Sequence, residues 1–128
     1  MPGITDGIID ELTDFIEQEV RETAVAVTEE LRDATPENTG LAKYSWIPSI
    51  TFNDLPFELD QGDVEPSVQL ARQQAGIAEV RTWTLNQGDI FIENNVVYIT
   101  DLNAGSSPQA PAGFVEVAIL SGVARSAA

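Results

Sequence analysis

A single apolar stripe runs through residues 5–33. Ile8, Leu12, Phe15, Ile16, Val20, Val27 and Leu31 recur at helical spacing, while Asp10, Glu11, Asp14, Glu17, Glu22, Glu29 and Glu30 fill the other side. That pattern predicts one long amphipathic helix. Thr5 or Asp6 can cap its start, and the early acids suit the positive end of the helix dipole. Glu17 and Arg21 form an i,i+4 pair worth roughly a few tenths of a kcal/mol. Pro36 turns Thr35 away from helical geometry, so the helix ends shortly before it. At 1.5 Å per residue it would be about 40 Å long. Such a scaffold requires a sheet or another helix to cover its stripe.

The remainder of the 128 residues is expected to supply that cover within one domain, residues 1–128. Residues 35–40 (TPENTG) are a turn cluster, punctuated by Pro36 and Gly40. Residues 41–52 carry Tyr44, Trp46, Ile47, Ile50 and Phe52 and read as an edge strand, or one broken at Pro48. Residues 66–75 read as a short helix with Pro66 in its first turn and Gly76 past its end. Residues 77–85 and 90–92 read as a hairpin around residues 86–89, joined by the strand at 44–52, with one face on the long helix. Residues 112–125 are read as a last helix, although Val115, Val117 and Ile119 alternate as in a strand and Gly122 weakens a helix. Residues 126–128 should fray. The expected fold class is α+β: a long N-terminal helix packed on a small antiparallel sheet, with a short middle helix and a C-terminal helix.

Composition removes most chemistry. The chain has no histidine and no cysteine, which excludes disulfides, thiolate zinc sites and the commonest general base. No apolar run approaches the roughly 18 residues of a membrane span, and the first residues lack the basic and apolar regions of a secretory signal. Twenty-one acids against six basic residues give a net charge of −15. An open surface of that sign repels nucleic-acid phosphate and anionic lipid. Five acids fall in residues 53–65: Asp54, Glu58, Asp60, Asp63 and Glu65. They could hold a hard cation such as Ca²⁺, but their spacing does not match an EF-hand loop, and a solvated acidic loop is the better reading. An enzyme using paired carboxylates would need two acids set apart by their surroundings, and the sequence selects none. The expectation is a non-enzymatic chain without cofactor or metal.

Residues 90–114 differ in kind. A short β-patterned run leads into Asn94-Asn95, then Tyr98, Leu102 and Gly105, and a Ser/Pro/Gln loop at residues 106–112 ends on Gly113. Small residues and turns of this kind suit a surface laid against a partner.

Taken with residues 35–46, this segment carries a resemblance. Thr35-Pro36-Glu37-Asn38-Thr39-Gly40-Leu41 continues through Ser45-Trp46; Asn94, Asn95, Tyr98, Leu102, Gly105, Ser106, Gln109, Ala110, Pro111, Ala112 and Gly113 follow later. In this order and spacing the two segments resemble the neck and tail-completion proteins of tailed bacteriophages, the minor tail protein Z-like family. This chain departs from the family pattern at Asn38 and Asn103, where acids are usual, and in the delay of the basic residue to Lys43.

The resemblance implies a structural virion protein, made in the bacterial host cytoplasm, whose copies form a ring (a hexamer) at the head–tail junction. Its neighbours would be the head-closure or connector protein and the tail terminator or tail tube protein, with DNA passing through unbound. Heterologous contacts that close by rotation build such rings. Thr35, Pro36, Thr39, Gly40, Trp46, Tyr98, Gly105, Ser106, Gln109, Pro111 and Gly113 are then the expected contact residues. Trp46, Tyr98 and Leu102 have core packing as their other reading. Asp54, Glu58, Asp60 and Asp63 are expected to line the lumen as a wall that repels DNA. The alternatives are a tail terminator ring capping the tail tube, or an acidic adaptor domain of unknown partner.

Overall fold

The apolar stripe does make one helix, α1, Ile4–Ala34. In this computed structural model, which describes residues 4–37, 40–50 and 58–127, it spans roughly 46 Å at 1.5 Å per residue. Its end is tied down by its own next residue. Thr35 donates both its N–H (3.2 Å) and its Oγ1 (2.6 Å) to the Leu31 carbonyl. The indole Nε1 of Trp46 donates to Thr35 Oγ1 at 2.8 Å, joining the helix end to the following segment.

The fold is α+β. The long helix packs against a two-stranded antiparallel sheet, with short middle helices and a C-terminal helix α5, Phe114–Ala127. Strands β1, Ile47–Ser49, and β2, Phe91–Glu93, pair with Pro48 opposite Ile92. Pro48 cannot donate to a ladder, and both strands of a two-stranded sheet are edges, so it is accommodated. Ile92 packs on the cluster of Val27, Leu31, Trp46 and Ala118.

The closest cover of α1 is α5. Thr23 Oγ1 lies 2.9 Å from Ser126 Oγ, Gly122 sits over Val27, and Ala118 packs with Leu31, so the two helices run antiparallel. A Cβ on Gly122 would lie 2.6 Å from Val27 Cα. Glycine costs a helix interior about 1 kcal/mol relative to alanine, and here it permits backbone contact. Arg125 adds ion pairs to Glu29 (2.7 Å) and Glu30 (3.1 Å). The helix reading of residues 112–125 therefore holds. The expected fraying does not hold at Ser126, which is bonded to α1.

The expected hairpin is absent. Residues 66–80 are one helix, α3, Pro66–Val80, and a 3₁₀ turn, Leu85–Gln87, follows it. Gly76 does not end this helix; it lies inside it, where a Cβ would meet the Pro48 carbonyl oxygen at 2.3 Å. The buried residues Gln69, Gln73, Gly76 and Val80 recur at three and four, so helical packing on β1 overrides the β preference of residues 77–85. Trp83 is buried with Nε1 on the Gly88 carbonyl at 2.8 Å, and Thr84 with Gln87 forms a capping box for the 3₁₀ turn.

The strand expected at residues 41–52 is shortened. Leu41–Tyr44 is a helical turn, α2, and only Ile47–Ser49 is extended; residues 51 and 52 lie outside the described residues. Gly40, at φ 75°, starts α2 in a left-handed conformation that favours glycine. The remaining helix is α4, Ile99–Asn103.

Candidate assembly surface

The two motif segments, far apart in sequence, meet in space. The backbone N–H of Glu37 donates to Gln109 Oε1 at 3.0 Å, across 72 positions. Asn94 Nδ2 donates to the Ala42 carbonyl at 2.9 Å, and Asn94 Oδ1 accepts from Val96 N at 3.1 Å. Leu41, Ala42 and Val96 form a buried cluster, against which Tyr98 and Leu102 pack. Two polar links and one apolar cluster thus join the turn after α1 to the loop before α5.

Beneath this junction two buried amides of α3 tie down the segment around α2. Gln73, fully buried, donates Nε2 to the carbonyls of Trp46 (2.9 Å) and Lys43 (3.3 Å). Gln69 Nε2 donates to Ser45 Oγ at 2.9 Å, and Ser45 Oγ donates to the Leu41 carbonyl at 2.6 Å. These bonds hold α2 rigidly under the surface turn. Lys43 pairs with Glu37 there.

The loop itself is compact. Ser107 and Ala110 point inward and are buried, while Ser106, Gln109 and Pro111 are exposed. Gly105, at φ 98°, faces Ala112, where an added Cβ would come within 3.2 Å of that methyl. Asn103 closes the loop: its carbonyl accepts from Gly113 N (2.7 Å) and its Oδ1 from Val115 N (2.9 Å). Its Nδ2 donates to both Glu116 carboxylate oxygens, at 3.0 and 3.1 Å. An asparagine can do both because it carries a donor and an acceptor. An ionised acid at this position could cap the backbone but would repel Glu116.

Thr35, Pro36 and Trp46 lie inside the fold, Trp46 only 8% exposed. Tyr98 and Gly40 are half-buried, Gly40 against Pro66 and Tyr44. Gly105, Ser106, Gln109 and Pro111 are exposed, and Gly113 is half-buried at the start of α5. Thr39, Asn38 and Asp54 lie outside the described residues. Glu58, Asp60 and Asp63 are exposed. Asp60 and Asp63 bind their own turn: Asp63 Oδ2 accepts from Asp60 N (2.9 Å) and Asp60 Oδ1 from Gln61 N (2.8 Å). Among the described residues no group of three acids is placed to hold a metal ion, and no helix is long and apolar enough to cross a membrane.

Two surface features escaped the sequence reading. The first half of α1 is bare: Ile8, Ile9, Leu12, Phe15 and Ile16 are each 45–62% exposed. The missed signal is length, since α5 covers only 14 residues of a 31-residue helix. The second is the placement of positive charge. Arg21, Arg81 and Arg125, half of the six basic residues, line one open pocket of about 240 Å³ floored by Val25 and Ala26, together with Glu22 and Glu29, the latter already paired with Arg125. No protein-family model matches the chain, and neither a curated protein nor a solved structure is significantly similar to it.

Proposed function

We propose that this chain is a structural, non-catalytic virion protein whose copies form a ring in the neck of a tailed phage and join the DNA-filled head to the tail. The observation that carries the reading is the Glu37–Gln109 bond. The two segments that resemble the neck family are held together as one surface, and the exposed Ser106, Gln109 and Pro111 stand on its rim. A rigid loop presented on a buried polar network suits a recurring protein–protein contact, because little side-chain entropy is lost on docking.

The charge fits the same role. A net −15 with exposed acids at Glu58, Asp60 and Asp63 gives a surface that on the whole repels DNA. The test is assembly. Phage carrying Gln109→Ala together with Pro111→Asp should make filled heads and free tails that do not join, scored by electron microscopy. Normal infectious particles would overturn the role of this loop. Microscopy of the intact neck would separate a neck ring from a tail terminator by the level at which the protein sits.

A further inference from the structure

The geometry points to a head-to-tail contact between copies of this chain: the bare first half of α1 from one copy lies along the outer face of α5 and over the arginine-lined pocket of the next. The contact goes beyond the phage reading and does not depend on it. On the donor side, Ile8, Leu12, Phe15 and Ile16 share one face of α1, flanked by Asp6, Asp10, Glu11, Asp14 and Glu17, with no basic residue before Arg21. On the acceptor side, Val117 (62% exposed), Leu120 (70%) and Ala124 share a face of α5 that ends beside Arg125 at the pocket. Arg81 makes no side-chain hydrogen bond or ion pair among the described residues, so its charge is available to an incoming acid. The lengths match as well, since residues 5–19 and the 14 residues of α5 each span roughly 21 Å.

Other occupants fit less well. The bare half cannot fold back on its own α5, because α1 is continuous to Ala34. A symmetric α1–α1 pair would set two acidic rows side by side, against like-charge repulsion. An anionic membrane is disfavoured because surface helices of that kind carry Lys and Arg on the polar face. A contact between different faces leaves each copy with one donor and one acceptor, as a closed ring requires.

The isolated full-length protein tests this by sedimentation and light scattering across a concentration series. The wild type should self-associate, while Phe15→Asp and Leu120→Asp should each weaken association roughly tenfold or more. Both positions are exposed, so helix content by circular dichroism should not change; Leu12→Asp provides a second donor variant. Arg81→Glu should weaken association by several-fold, and the wild-type affinity should fall with added salt. An equimolar mixture of Phe15→Asp and Leu120→Asp should form a two-chain species and nothing larger, because one intact donor meets one intact acceptor. A wild type that stays monomeric throughout, a Leu120→Asp protein that associates like wild type, or a mixture that stays monomeric would each overturn the contact.

Discussion

The two halves of α1 share a helix, a periodicity and an acidic outer side, yet only one half is inside the molecule. From Ala24 to Leu31 the residues Ala24, Val25, Ala26, Val27, Thr28 and Leu31 are buried, Leu31 to 1% exposure. From Ile8 to Ile16 the apolar residues are larger and none is buried. The difference lies in what can approach. Ala24, Ala26 and Thr28 are small, and Gly122 brings the α5 backbone against Val27, so the second half is sealed by close backbone packing. The first half offers bulky side chains that no element among the described residues covers. An amphipathic pattern therefore states that a face wants cover, and the length of the covering element decides whether the chain supplies it.

The sharpest break of this comparison is a matched pair of leucines. Leu31→Ala should cost about 3 kcal/mol, since it removes a fully buried side chain from the cluster with Trp46 and Ala118. Chemical denaturation of the dilute protein measures it. A loss below about 1 kcal/mol would mean that the second half of α1 is not the core. Next in size is Gly122→Ala. Its methyl would meet Val27 Cα and N at 2.6 and 2.8 Å, backbone atoms that cannot move aside without shifting a helix. The intrinsic helix preference favours alanine by about 1 kcal/mol, and overpacking costs about 1–3 kcal/mol, so the net effect should be a loss of about 0–2 kcal/mol. A stabilised variant would show that α1 and α5 lie farther apart than described.

Two glycines, Gly76 and Gly122, mark where sequence reasoning stopped. The long helix, the last helix and the class of fold were legible, because periodicity is local and both helices carry it. Gly76 read as a helix end and Gly122 as a weak point, because propensity describes the chain alone. Each is the place where a distant backbone, Pro48 or Val27, comes too close for any side chain. The strand-like run at residues 77–85 was misread for a related reason: its Val80 belongs to a buried face that begins at Gln69, outside the run. The motif residues were legible one by one. Their meeting was not, since the Glu37–Gln109 bond spans 72 positions and neither residue has a pattern that announces the other.

The smallest expected effect is the most informative about the bare half. Leu12→Ala changes the same side chain as Leu31→Ala, in the same helix, at a position 55% exposed. In dilute protein its effect on unfolding should lie within about 0.5 kcal/mol, as for other exposed sites away from special features. At higher concentration the outcome should separate from wild type. A partner that binds only the folded chain adds stability that grows with concentration, so wild-type Tm should rise with protein concentration while the Leu12→Ala midpoint rises less. A concentration-independent loss would place Leu12 in an intrachain contact and erase the difference between the two halves. A midpoint that follows wild type at every concentration would leave the first half without a partner among its own copies.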